Sequence, residues 1–328
     1  MSAEGTQAAP KRGRLRRWRK NLRRRFKHRP GLVPWLLFQP QRGLLFLLGL
    51  LPEPALMAVA DRLGRLAWLS SRRRRAGRAQ IAQALPGLSE HERDRLLKQS
   101  CGHLGRSAAE TMVASRHWPK DLLPLIQFED QAREQLEKLR GQGAVFVQAH
   151  LGSFEVGGAV LGQLGLDPAF PMRRPNNEYL ARRLEAARSH WQVTVLARQG
   201  AVRQMLKHLK GGGCVILASD QNAHHAPVFP HWFGKLAATE SASVRLARRL
   251  EKPLVVFWCV RDGGESPWRL GMEVVPLPAA TGVEEQDDVA ALEAVHRRLE
   301  AVILRAPEQY LWIHDRYRTR PAQESTSS

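Results

Sequence analysis

The chain has 328 residues, 43% of them hydrophobic, which is enough for one large α/β domain with an appended segment. Its formal charge is +20, and residues 1–30 hold 12 lysines and arginines against one glutamate, so more than half of the excess lies there. Cys101, Cys214 and Cys259 match neither a metal-binding nor a redox spacing. They are therefore predicted to be core residues of a protein in a reducing, cytosolic environment.

The N-terminal region is typical of a membrane-associated protein. Residues 1–30 are predicted to be a basic disordered arm, too long for a signal peptide, with no small-residue cleavage site after it. The apolar segment 31–51 is interrupted at residues 39–42, and Gly43–Leu51 is far shorter than the roughly 20 residues that cross a bilayer. We expect a monotopic or peripheral protein whose basic arm faces the anionic cytoplasmic leaflet.

A basic arm also suits nucleic acid. Trp18, Phe26 and the adjoining apolar run suit lipid better than a groove, so membrane lipid is predicted and no nucleic acid is expected. Retention in the membrane fraction after a high-salt wash would separate the two readings.

Residues 52–321 are predicted to form the α/β domain, followed by a disordered tail at 322–328. Helical spacing dominates 52–140, including a capping box at Ser89 and Glu92. Strands and helices then alternate, which is typical of a mostly parallel central sheet flanked by helices. The predicted strands are 144–149, 168–172, 193–196, 214–219, 253–260 and 268–275.

A histidine and a carboxylate follow the first of these strands. Residues 144–149 are an apolar run, His150 stands at its carboxyl end, Gly152 permits a sharp turn and Glu155 begins a helix. Ligands of α/β sheets bind beyond such strand ends. The spacing is compatible with a dyad in which Glu155 orients His150, which takes a proton from a hydroxyl. The alternative is a buried histidine beside a carboxylate that complements a helix dipole.

Polar residues also follow two other strands. Arg174 and Asn177 come after 168–172, and Asp220 and Gln221 come after 214–219. A surface cation and a structural cap are the alternatives for Arg174 and Asp220.

Other chemistries find little support in the sequence. It contains no G-x-S-x-G, G-x-x-x-x-G-K-[ST], G-x-G-x-x-G or H-E-x-x-H motif. His224, His225 and His231 have no carboxylate or cysteine in register, so neither a metal nor another cofactor is predicted.

Several segments together resemble one family. They are H-x-x-x-x-E at His150–Glu155, Arg174 with Pro175 and Asn177, Asp220 with Gln221, VFPHWFGKLAAT from Val228, RLARR from Arg245 and PEQYLWIHDRYRTRP from Pro307. In this order, over roughly Leu50–Pro321, they resemble the late acyltransferases of lipid A biosynthesis, which are lauroyl and myristoyl transferases of Gram-negative bacteria within the lysophospholipid acyltransferase superfamily.

The resemblance implies a membrane-associated α/β acyltransferase on the cytoplasmic face of the inner membrane. The implied donor is an acyl thioester, acyl carrier protein or acyl-CoA, and the implied acceptor is a lipid A precursor. His150 and Glu155 would be catalytic. Arg174 would bind acceptor phosphate or stabilise the oxyanion, and Asn177, Asp220 and Gln221 would complete the substrate site.

Two stretches depart from the family pattern. His231 and Trp232 replace an apolar or aromatic pair, and Glu240–Ser243 replaces a Thr- and Gly-rich helix start. Both bear on acyl chain length and on the identity of the acceptor. The alternatives are therefore an acyltransferase for a lysoglycerolipid or other lyso-lipid, and a non-catalytic membrane-tethered or nucleic-acid-binding protein.

Overall fold

A computed structural model describes residues 29–113, 118–172, 174–197, 200–263 and 266–321. Apart from residues 29 and 30, the predicted basic arm lies outside these ranges, as does the predicted tail 322–328. The arm and the tail stay predictions.

The described residues form helices that surround a central sheet. The helices are α1 (Leu32–Leu48), α2 (Glu53–Arg65), α3 (Ser71–Ala84), α4 (Glu90–Met112), α5 (Ala132–Lys138), α6 (Phe154–Gln163), α7 (Glu178–His190), α8 (Ala201–Lys210), α9 (Ala242–Leu250) and α10 (Glu284–Arg305). The strands are β1 (Ile126–Phe128), β2 (Ala144–Gln148), β3 (Pro168–Met172), β4 (Thr194–Ala197), β5 (Cys214–Ala218), β6 (His231–Trp232), β7 (Lys235–Leu236), β8 (Leu254–Arg261) and β9 (Trp268–Val274).

Seven strands form the central sheet in the order β1-β9-β8-β2-β5-β3-β4. Every neighbouring pair is parallel except β8 with β9, which pair antiparallel. The mostly parallel sheet flanked by helices is therefore confirmed. β6 and β7 form a separate small hairpin.

Apolar side chains on both faces of the sheet explain the helices on either side. Val145 and Val215 belong to a core shared with α8, α9 and α10. Phe146 and Ile216 belong to a second core, shared with α5 and α6. The three cysteines are buried and unpaired, as predicted.

Helix α1 is mostly uncovered. It runs through Pro40, and its apolar side chains point largely outward. The exposed ones are Leu32, Val33, Trp35, Leu36, Leu37, Leu44, Phe46 and Leu47. Among the described residues, none of the helices combines the length and the apolar character that a membrane span requires.

The inner side of α1 docks on α7. Phe38 stacks on Tyr179 with ring centroids 6.2 Å apart, and Asn177 Nδ2 donates to the carbonyl of Pro34 at 2.9 Å. Helix α1 is thereby fixed beside the loop that follows β3.

Candidate active site

His150 lies in a tight turn between β2 and α6, at the carboxyl edge of the sheet. Gly152 in this turn has a φ of +60°, and a Cβ there would lie 2.3 Å from the carbonyl oxygen of Cys259. Only glycine combines this backbone conformation with so close an approach. The predicted sharp turn at Gly152 is therefore confirmed.

The hydrogen-bond partner of His150 is Asp220. The Nδ1 of His150 lies 2.9 Å from Asp220 Oδ1, and the backbone N–H of His150 donates to Asp220 Oδ2 at 2.8 Å. The Asp220 side chain is almost fully buried, whereas that of His150 is 27% exposed. A carboxylate on Nδ1 favours the tautomer in which Nε2 carries a free lone pair.

Strand register explains this contact between residues that are 70 positions apart. Gln148 of β2 pairs with Ala218 of β5 in the parallel ladder. Two residues further along each strand, the same register places His150 opposite Asp220.

The pair is electrostatically coupled. Burial alone lowers the pKa of His150, but the charge and hydrogen bond of Asp220, with a smaller contribution from Glu155, leave that pKa above its ordinary value of 6.5. Burial works to raise the pKa of Asp220, and His150 together with Arg316 brings that pKa below its ordinary value. Asp220 is therefore an anion that stabilises the imidazolium.

We expected Glu155 to bond the imidazole, and in this respect the structure differs. Glu155 Oε2 accepts from Arg188 Nε at 3.0 Å, and its second oxygen accepts from Arg188 Nη2. Both side chains are largely buried. Glu155 therefore forms a bidentate ion pair with Arg188 of α7 instead of bonding the imidazole. Glu155 still acts on His150 through its charge.

Sequence reasoning did not single out Arg316, which is fully buried behind Asp220. Its Nη1 donates to the carbonyl of Gln221 at 3.0 Å, and its Nη2 donates to Thr239 Oγ1 at 2.6 Å. Arg316 thus fixes the backbone that carries Asp220. The only signal in the sequence was its place in the C-terminal segment 307–321.

Gln221 lies at the site, as its position after β5 suggested. Its Nε2 is 3.2 Å from the Nε2 of His150 and 3.4 Å from the Nδ1. The Gln221 amide therefore covers the imidazole.

Arg174 and Asn177 lie beyond the end of β3 and have local partners. Arg174 Nε donates to Glu185 at 2.7 Å, and its remaining nitrogens bond Glu178 and Glu185. Asn177 caps α7, because its Oδ1 accepts from the backbone N–H of Tyr179 at 3.0 Å. Neither residue contacts His150 in a hydrogen bond that the structure shows.

Within the described residues, no group of three metal-ligating side chains is close enough together to hold an ion. His231 Nδ1 instead bonds Glu293 at 2.6 Å, and His224 contacts Asn222.

Known proteins match this chain along nearly all of its length. Residues 23–319 match the family described as bacterial lipid A biosynthesis acyltransferase. The chain is 28% identical to the lipid A biosynthesis palmitoleoyltransferase of Escherichia coli over 87% of this chain and 92% of that protein. It is also 28% identical to the lauroyltransferase of the same pathway in Escherichia coli, over 85% of this chain and 90% of that protein.

A lipid A biosynthesis acyltransferase of Haemophilus influenzae is 24% identical over 87% of this chain and 91% of that protein. The family match spans more than half of the chain and runs from the end of the basic arm to the last described residues. The protein is thus an acyltransferase and belongs to the bacterial lipid A biosynthesis acyltransferase family.

Proposed function

We propose that the protein moves a fatty acyl group from a thioester, carried by acyl carrier protein, to a hydroxyl of a lipid A precursor, with His150 as the general base. The observation that carries the proposal is the contact between His150 and Asp220 at the carboxyl edge of the sheet. It supplies a partly exposed base with a buried anion behind it, which direct attack by a hydroxyl requires.

The reaction would proceed in two steps. His150 Nε2 takes the proton of the acceptor hydroxyl as its oxygen attacks the thioester carbonyl carbon, while Asp220 stabilises the imidazolium. The tetrahedral oxyanion then collapses, the C–S bond breaks and the departing sulfur takes the proton from His150. The products are an ester and a free thiol, and no acyl-enzyme forms.

Glu155 would assist from behind the first carboxylate. Its charge favours the imidazolium, while Arg188 holds it in one orientation and prevents it from competing with Asp220 for the ring. The histidine–glutamate dyad is thus proposed in a modified form, with Asp220 in direct contact and Glu155 at longer range.

Arg174, Asn177 and Gln221 are proposed to bind the acceptor. A guanidinium matches phosphate oxygens with paired donors. Because the Arg174 guanidinium already bonds Glu178 and Glu185, an acceptor phosphate would have to displace one of these carboxylates. Gln221 would leave the imidazole and bond the acceptor hydroxyl or the carbonyl.

Membrane association on the cytoplasmic face of the inner membrane is proposed from the exposed apolar side of α1. Leu63, Leu66 and Leu69 are also exposed, and the arginines 72–75 follow them directly. Leucines that enter the acyl region beside arginines at the headgroups are typical of interfacial binding. The docking of α1 on α7 would bring the lipid surface close to Arg174.

The test is a transfer assay with the full chain in nonionic detergent. Acyl-carrier-protein and coenzyme A thioesters serve as donors, an underacylated lipid A precursor and a lysophospholipid serve as acceptors, and mass spectrometry identifies the product. We expect an ester on the lipid A precursor. We expect His150→Ala to lower kcat by about 10³-fold with the fold unchanged.

His208→Ala is the matched control, because His208 also bonds an aspartate residue, through the carbonyl of Asp167, at 2.7 Å. Transfer only to the lysophospholipid would replace the proposed acceptor. Full turnover by His150→Ala would refute the role of His150 as the general base.

A further inference from the structure

A buried ion pair lies beneath the turn that carries His150. Arg261, at the end of β8, donates from Nε to Glu110 Oε1 of α4 at 3.0 Å, and a second bond joins its Nη2 to Glu110 Oε2. The two side chains are 13% and 3% exposed. Taking two charges out of water costs several kcal/mol per ion, so an ion pair in such a place is weak evidence for a role in stability alone.

Side chains connect this pair to the turn. Ser153 Oγ donates to Glu110 Oε1 at 2.9 Å and accepts from Trp268 Nε1 at 3.0 Å. Ser107 Oγ accepts from Arg261 Nη2 at 3.1 Å and donates to the carbonyl of Gly152 at 2.7 Å. Both members of the pair thus reach a residue within three positions of His150.

Backbone bonds close the arrangement from the other side. Gln309 accepts from the backbone N–H of Gly152 at 3.1 Å, and its side chain bonds both the N–H and the carbonyl of Arg261 at 2.9 and 3.0 Å. The N–H of Leu311 donates to the carbonyl of His150 at 3.1 Å. The turn is therefore held between the ion pair and the C-terminal segment.

We propose that Glu110, Arg261 and Ser153 are positioning residues, which hold the turn at Gly152 and Ser153 so that the His150 ring stays aligned with Asp220. This inference rests on the proposed role of His150 as the base. None of the three residues would touch substrate.

The geometry favours positioning over general stability. A pair that only stabilised the core could be bonded anywhere, whereas these donors and acceptors converge on two consecutive residues of one glycine-dependent turn. Catalytic groups must be held within about 0.5 Å of their productive geometry. A displacement of about 1 Å can cost 10²-fold in rate.

The test compares Ser153→Ala and Glu110→Gln with Asp288→Asn. Asp288 is a suitable control because it is also a fully buried carboxylate bound by an arginine, Arg245 Nε at 2.5 Å, but it lies on α10 across the sheet. For each full-length variant we would measure kcat and KM, urea unfolding and the titration of the His150 ring by NMR.

We expect Ser153→Ala to lower kcat about 10-fold or more with little change in KM. The His150 pKa should fall, because a displaced ring loses part of its bond to Asp220. Asp288→Asn should lose stability and keep both the kcat and the titration of His150. Restoration of kcat by Ser153→Thr, which keeps the hydroxyl, would support the bond to Glu110.

An unchanged kcat and an unchanged His150 titration in Ser153→Ala would overturn the inference. If Glu110→Gln does not fold, Ser153→Ala still decides, since it leaves the ion pair intact. If the wild-type protein does not transfer acyl groups, the proposed function fails, while the NMR titration still tests the positioning of the ring.

Discussion

Asp220 and Glu155, the two carboxylates near His150, have different hydrogen-bond partners. Asp220 is almost fully buried, bonds both the ring and the backbone of His150 and has Arg316 behind it. Both carboxylate oxygens of Glu155 instead accept hydrogen bonds from Arg188. The proposed chemistry therefore depends on Asp220 for direct contact and on Glu155 for its charge.

Asp220→Asn should change the pH dependence of the reaction. In the proposed mechanism the base must be neutral, so activity should be lost as the pH falls through the His150 pKa, which Asp220 raises above 6.5. An amide removes this charge, so the acid limb of kcat/KM should move to lower pH. The plateau should fall by about 10²-fold or more, because the imidazolium is less stabilised.

The measurement is kcat/KM from pH 5 to 9 in detergent, with Asp288→Asn as the control. If the acid limb of kcat/KM in Asp220→Asn stays at the wild-type pH, that result would contradict the contact between Asp220 and His150. The other titratable groups that interact with Asp220 or His150 include Glu155, Tyr310, His314 and Arg316.

Glu155→Gln should affect both stability and rate. It leaves Arg188 buried without its anionic partner, which costs about 1–3 kcal/mol of unfolding free energy. Adding Arg188→Met should recover most of that stability, because no unpaired charge then remains. If Glu155 acts on His150, kcat stays low in the double variant.

Denaturant unfolding and kcat, measured on both variants, separate the two effects. Recovery of the wild-type kcat in the double variant would show that Glu155 serves only the ion pair.

At the level of elements, hydrophobic patterns in the sequence predict six of the seven strands of the central sheet. The predicted strand 168–172 begins and ends where the structure has it, and the predicted capping box at Ser89 is present. β1 and the β6–β7 hairpin were missed because segments of two or three residues carry no period.

The contact between His150 and Asp220 could not be predicted in the same way. Both residues were recognised at strand ends, but which strands are neighbours and in what register is decided by packing over the whole sheet. Glu155 lies only five residues from His150 in the sequence, so local spacing predicts it as the partner of the imidazole. Its capture by Arg188 depends on α7, a helix whose placement the sequence does not reveal.

Helix α1 permits a test of membrane binding at the element scale. Leu36, Leu44 and Leu47 are 52%, 52% and 62% exposed, so changing all three to Gln removes apolar surface without opening the core. Each buried leucine contributes about 1.5–3 kcal/mol. Binding to vesicles with anionic lipid should therefore fall about 100-fold or more.

Vesicle co-sedimentation measures this effect. Leu304→Gln, at an exposed site on α10, is the control and should bind as the wild type does. Unchanged binding of the triple variant would remove α1 from the membrane contact. Turnover with a detergent-solubilised acceptor should survive in it, because the three substitutions leave the contact between the Pro34 carbonyl and Asn177 in place.

The charge of the whole molecule bears on the donor. At +20 the protein should attract an acidic carrier protein, and such attraction speeds encounter more than it changes the chemistry. Outside the arm, α8 adds an exposed row of cations at Arg203, Lys207 and Lys210. A donor that approaches this surface would be sensitive to salt.

We therefore expect kcat/KM with acyl carrier protein thioester to fall about 10-fold between 50 and 500 mM salt, mainly through KM. A neutral acyl thioester of N-acetylcysteamine, assayed in the same nonionic micelles, should show little change, because it has no charge to screen. Equal salt dependence for both donors would place the effect on the enzyme or the lipid acceptor. A flat response with the carrier protein would argue that the donor is not recognised through its charge.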